Sequence, residues 1–222
     1  MISPLISNVY LHYTLDLWFE RVFRKSCSGT ARLVRYADDF VVCFQKREDA
    51  ERFRAALIER LKKFGLEIEP TKTKMLEFGP DALRRAKQEG GKPETFDFLG
   101  FTHYCSTTRN GRRFRVKRKT SAKKFRAKRA TFKEWIKRAR TKPTKWIWEQ
   151  VAAKLRGHYA YFGVTDNSRA MGRFFYEVRR LVAKWLNRRG KKSMSWEKFD
   201  LMEKRHPLPK PRVTVRLFLP FA

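Results

Sequence analysis

Apolar residues near the start of the chain recur at close to a helical period. Val9, Leu11, Leu15, Trp18, Phe19, Val22 and Phe23 predict a single helix over residues 4–25, with a turn after it. The pattern then shortens. Residues 31–36 and 40–44 are two apolar runs split by Ala37-Asp38-Asp39, which predicts a β-hairpin with both aspartates at its tip. Phe53, Leu57 and Leu61 lie four apart and predict a helix over 48–64, with acids in its first turn and Gly65 ending it. Residues 66–68 and 74–78 read as short strands. Residues 79–94, with Gly90-Gly91 and Pro93, read as a loop. A second hairpin is predicted from 96–104 and 112–117, turning at Asn110-Gly111.

From about residue 119 onward the period is helical. Phe125, Phe132 and Ile136 mark a helix over 121–140. Ile147, Val151, Leu155, Tyr159 and Phe162 mark one over 145–162. Asn167 stands as the cap of a third helix, whose stripe is Met171, Phe174, Phe175, Val178, Leu181, Val182 and Trp185. A short helix near 195–203 precedes a Pro-rich tail at 207–211. The fold class is therefore α+β: antiparallel strands with helices over residues 1–118, then an all-helical domain over 119–222.

Charge separates the chain differently. The 222 residues carry a net +31. Residues 1–78 hold 14 Lys and Arg against 11 Asp and Glu, whereas residues 79–222 hold 39 against 11. So large an excess on a folded domain calls for a polyanion, and nucleic acid is the natural one. An anionic membrane would favour one short basic amphipathic helix, not cations spread over the last two thirds of the chain. No apolar run approaches the roughly 18 residues of a membrane span, and the N-terminus lacks a basic secretory start, which suggests a cytoplasmic protein. Cys27, Cys43 and Cys105, and His12, His103, His158 and His206, have no metal-ligand spacing, so neither zinc nor a disulfide is expected. His158 is expected to be a packed histidine.

The densest basic segment contains Arg112, Arg113, Arg115, Lys117, Arg118, Lys119, Lys123, Lys124, Arg126, Lys128 and Arg129. A merely solvated helix face would interleave acids at i+4, and from 109 to 145 only Glu134 does so. RNA contact is therefore the favoured reading. Trp146 and Trp148 are either base-stacking surfaces or, the better expectation, partly buried between helices. The adjacent carboxylates Asp38 and Asp39 repel each other at a tight turn. Either they make a soluble turn, or they hold Mg²⁺, a hard ion that binds carboxylates, water and phosphate oxygens.

Tyr36-Ala37-Asp38-Asp39 between two strands resembles the catalytic motif of reverse transcriptases, particularly those of group II introns. Other segments match that family in order. They are Ile2-Ser3-Pro4-Leu5-Ile6-Ser7-Asn8-Val9-Tyr10-Leu11-His12, Gly65-Leu66 through Lys72-Thr73-Lys74, Phe98-Leu99-Gly100-Phe101, Gly157-His158-Tyr159-Ala160-Tyr161-Phe162, and residues 207–212. The resemblance implies the end of a polymerase palm followed by a maturase thumb. It implies an RNA-directed DNA polymerase that also assists intron RNA splicing, with RNA template, DNA primer and intron RNA as partners.

By that resemblance Asp38 is a principal ligand of two Mg²⁺ ions and Asp39 a more peripheral one. Tyr36 and Ala37 lie by the nucleotide and the primer end. Lys72 supports the triphosphate, or is an ordinary solvated lysine. Phe98, Leu99 and Gly100 hold the primer, a role compatible with simple packing. The family's site also uses an aspartate from an earlier strand and a basic fingers region, both of which would precede residue 1. The expectations are an incomplete metal site, no primer extension by this chain alone, and a missing N-terminal half or a second copy as partner. The alternatives are a non-catalytic module that binds structured RNA and a relic that does not fold.

Overall fold

A computed structural model describes residues 3–189 and 194–217; Ile2, the start of the first segment that carries the resemblance, lies outside the described residues. The architecture is α+β, with antiparallel sheets followed by a helical region. The chain forms two compact units that divide after Phe78. The predicted change from strands to helices does occur, between Thr120 and Ala122. Compactness follows the charge asymmetry instead, because the second sheet belongs to the basic unit.

In the first unit, α1 (Ser3–Leu11) continues without a break through π-helical turns at His12–Asp16 and Phe19–Phe23 to a 3₁₀ turn at Arg24–Ser26. The wider π turns re-aim the apolar stripe. Leu15, Phe19 and Phe23 are buried, but Val9 and Val22, predicted on the same face, are exposed. Strands β1 (Ala31–Tyr36) and β2 (Asp39–Phe44) pair antiparallel. Helix α2 (Arg47–Lys62) follows and buries Phe53, Leu57 and Leu61. These residues close one core with Leu15, Phe19, Phe23 and Ala31. Buried Asp49 lies under the 28–29 turn. It accepts hydrogen bonds from the Ser28 and Gly29 amides and the Ser28 hydroxyl, and pairs with Arg52. Residues 66–68 and 74–78 are not strands; between them the backbone turns, with the Lys72 and Thr73 amides on the Glu69 carbonyl.

The second unit opens with a correction: the predicted loop 79–94 contains helix α3 (Pro80–Gln88). Pro80 starts it, and Asp81 favours its N-terminal dipole. Gly90, at φ 67°, ends it, with the Gly91 amide on the Ala86 carbonyl. The two glycines that suggested a loop are a helix stop. The long strand expected over 96–104 is likewise divided into β3 (Thr95–Phe98) and β4 (Phe101–Thr107) by a two-residue turn, and β5 (Phe114–Thr120) completes the sheet β3-β4-β5. Leu99 and Gly100 both have positive φ, 49° and 77°, as the favoured hairpin turn requires.

Helices α4 (Ala122–Ala139), α5 (Thr144–Phe162), α6 (Ser168–Leu186) and α7 (Trp196–Arg205) fall within a residue or two of the predicted ranges. Their shared core contains Phe132, Ile136, Ile147, Val151, Leu155, Phe162, Met171, Phe174, Val178, Val182 and Phe199. Trp148 is buried, as expected, while Trp146 stays partly exposed. The tail folds back, with Thr214 and Val215 amides on the Gly163 carbonyl and Leu208 buried. A Cβ at Gly163 would lie 2.3 Å from the Tyr159 carbonyl oxygen and 2.8 Å from the Thr214 hydroxyl, so only glycine fits there.

Candidate functional site

The first hairpin pairs from Ala31 with Phe44 to Tyr36 with Asp39, leaving a loop of only Ala37 and Asp38. Asp38 is thus in the turn. Asp39, expected beside it at the tip, is instead the first residue of β2. Ala37 has φ 53°, a left-handed conformation that costs a residue with a Cβ about 1–2 kcal/mol. Tyr36, Asp38 and Asp39 are all exposed. Among the described residues neither carboxylate has an ion-pair partner, and no group of three or more His, Cys, Asp or Glu is placed to hold a metal.

Arg35 holds this turn in place. Its Nε and Nη2 donate to the two carboxylate oxygens of Asp16, at 2.8 and 2.6 Å. Its Nη1 donates to Asn8 Oδ1 at 3.0 Å and to the Ala37 carbonyl at 2.8 Å. One guanidinium therefore ties the strained residue to the first helix. Burial disfavours the Asp16 charge, but the hydrogen bonds and charge of Arg35, then those of His12, outweigh it and hold the carboxyl below its ordinary value. Sequence reasoning missed this clamp. Its signal was an Asp inside an apolar helical stripe and an Arg one residue from the end of an apolar strand.

Arg35→Met is expected to cost about 1–2 kcal/mol in urea denaturation, the worth of a charge-assisted pair at a half-covered site. Because the folded Asp16 value is depressed, the wild-type advantage is fully present above the unfolded value of 3.8. It is lost as pH falls through the lower folded value. Parallel loss of stability by both proteins across that window would remove Asp16 from the account.

The other expected site residues are distributed over both units. Lys72 is exposed, in a turn of the first unit. Phe98, Leu99 and Gly100 form the β3–β4 turn of the second unit, so they are a hairpin end and not the interior of a strand. That turn is well anchored. The Leu99 carbonyl accepts from the Tyr161 hydroxyl at 2.8 Å, and the Gly100 carbonyl accepts from the Ser121 amide at 2.9 Å.

The basic segment divides by environment. Arg112, Arg113, Lys123, Lys124, Arg126 and Lys128 are exposed and have no ion-pair partner among the described residues. Others are engaged: Arg129 with Glu177 at 2.7 Å, Arg115 with Asp166 at 3.7 Å, and Lys119 over the Tyr104 ring. Lys117 and Arg118 are half-buried in the sheet, and burial lowers the Arg118 value. His158 is packed as expected, stacked on Phe174 with centroids 3.9 Å apart. Burial, then the charge of Lys128, lowers its pKa to about 4 and keeps it neutral.

No helix among the described residues is long and apolar enough to cross a membrane. Residues 1–103 match the family model described as reverse transcriptase (RNA-dependent DNA polymerase). That match takes in the Asp38 hairpin, α2, α3, β3 and the first residues of β4, and stops before the basic helices. No curated protein matches the chain.

Proposed function

We propose that this chain supplies the metal-binding hairpin of an RNA-directed DNA polymerase of the group II intron type, joined to a basic helical unit that binds the intron RNA and assists its splicing. One observation carries the polymerase half. In the segment that matches the reverse transcriptase family, Asp38 occupies a strained two-residue turn clamped by Arg35, with its carboxylate free in solvent. Strain held in place by surrounding contacts is characteristic of functional sites.

The donor set suits part of a Mg²⁺ site: hard carboxylate oxygens from Asp38, with Asp39 as the outer ligand, leaving room for water and phosphate. When bound, such ions activate a 3′-hydroxyl and stabilise the departing pyrophosphate. Arg35 keeps the turn in one conformation, and exposed Tyr36 and Ala37 offer a surface for the nucleotide and primer end. Lys72 serves the triphosphate, and the Phe98–Gly100 turn serves the primer strand. Among the described residues no third ligand joins Asp38 and Asp39, and on this reading primer extension needs a further carboxylate to complete the cage.

The test is extension on an RNA template by a fusion that adds the preceding palm strand and fingers. Asp38→Ala is expected to lower its rate by at least about 10²-fold with RNA affinity unchanged, and Asp39→Ala by less. Extension by the unfused chain that Asp38→Ala abolishes would overturn the incomplete-site reading. A second reading, a non-catalytic module for structured RNA, is favoured by the separate compactness and core of the basic unit. It predicts RNA binding by the chain and no rescue of extension in the fusion.

A further inference from the structure

Between α3 and the turn end of the β4–β5 hairpin lies a groove of about 310 Å³. Its apolar lining is Leu83 and Phe114, both half-buried, with Pro80 more exposed; the exposed Lys87, Arg112 and Arg113 line its rim. Arg84, also on the rim, is paired with Asp81, but the other three cations have no ion-pair partner among the described residues. Among the described residues no carboxylate lines the groove. Ala82 is buried where α3 packs against β4, so the two walls are held by the fold itself.

We propose that this groove is a subsite for a single unpaired nucleotide of RNA, its base against Phe114 and Leu83 and its flanking phosphates on Lys87, Arg112 and Arg113. The assignment rests on the reading of the basic unit as an RNA binder and names one site within it. Three neighbouring cations without an ion-pair partner among the described residues are held together at a cost until an anion arrives. A phosphate backbone alone would be met equally well by the exposed cations of α4 and would leave the apolar lining wet. An acidic peptide would meet the rim, but its short carboxylate side chains offer no flat apolar surface to the lining. An extruded base satisfies both, since unpaired bases are recognised by stacking while their phosphates are neutralised alongside. The volume lies at the small end of ligand pockets, enough for one nucleotide and too little for a paired helix.

The test compares two RNA hairpins of equal length, one fully paired and one with a single bulged nucleotide, binding to the full chain at low salt. Wild type is expected to favour the bulged RNA by about tenfold. Phe114→Leu, which keeps an apolar β residue, should abolish that preference and leave the paired RNA unaffected, and Phe114→Tyr should retain it. Equal binding of both hairpins by wild type, or equal losses for both in Phe114→Leu, overturns the subsite while RNA binding stands. Binding of neither hairpin overturns the RNA reading, and the subsite with it. Poly-L-glutamate binding with the same dependence on Phe114 would assign the groove to an acidic protein and overturn the proposal. Matching melting curves for the variants keep these outcomes free of unfolding.

Discussion

Affinity of this chain for a structured RNA is expected to fall by about 10³-fold or more between roughly 50 and 200 mM salt, as for a protein that neutralises six or more phosphates. The expectation comes from Arg112, Arg113, Lys123, Lys124, Arg126 and Lys128, which are exposed and have no ion-pair partner among the described residues. Each cation that reaches a phosphate releases condensed counterions, and that entropy shrinks as bulk salt rises. Replacing Lys123, Arg126 and Lys128 by Gln should flatten the log–log salt slope by nearly one for each side chain removed. Arg129→Gln should change the slope much less, because its guanidinium is already committed to Glu177 at 2.7 Å. A fluorescence-anisotropy titration at four salt concentrations decides the matter. An unchanged slope in the triple variant would remove α4 from the interface. A flattened slope in Arg129→Gln alone would show that its ion pair opens on binding.

Asn167→Ala is expected to destabilise the basic unit by about 2–5 kcal/mol, far beyond the roughly 1 kcal/mol of a lost helix cap. The residue is fully buried. Its Oδ1 accepts from the Thr120 amide at 2.7 Å, and its Nδ2 donates to the Thr120 hydroxyl at 2.9 Å and to the Phe162 carbonyl at 2.8 Å. The end of β5, the end of α5 and the start of α6 therefore meet on one amide. Truncation leaves the Thr120 N–H unpaired in a dry interior and strips the Phe162 carbonyl of one of its two donors, the Val164 amide remaining, which costs more than the bonds contributed. Asn167→Asp should fare no better, since it sets a carboxylate oxygen against the Phe162 carbonyl. Urea denaturation followed by circular dichroism measures both. A loss near 1 kcal/mol would reduce Asn167 to the cap that its position in the sequence suggested, a role its side chain does not perform.

The sequence by itself determined what depends on neighbours along the chain. The stripes of α5 and α6 were legible because an amphipathic helix must repeat its apolar residues at 3.6, and every buried position from Ile147 to Phe162 obeys that period. The Asp38 hairpin was legible because two apolar runs with so short a break can only fold back on each other. The change in charge at residue 79 was legible, but the domain boundary was read at residue 118 from the change of period, whereas the compact units divide after Phe78. The resemblance of residues 31–44 to a polymerase motif needed only their order, and the family match over residues 1–103 includes them.

What only the tertiary structure decided are contacts between residues far apart in sequence. Leu99 reads as one more apolar strand residue. It became a left-handed turn because Tyr161, 62 positions later, takes its carbonyl and Ser121 takes that of Gly100. Gly90-Gly91 read as a loop because a helix stop and a loop share the same residues; packing of Ala82 against β4 made the preceding segment a helix. Val9 and Val22 read as core, but the stripe shifts across the π turns at His12–Asp16 and Phe19–Phe23 and both are exposed. Arg35 and Asp16 lie 19 residues apart, and nothing local pairs them. Which cations face solvent and which are held by Asp166 or Glu177 also escaped composition. Local propensity sets each element's period and ends, whereas a bidentate clamp or a buried amide bridge exists only after the chain has closed on itself.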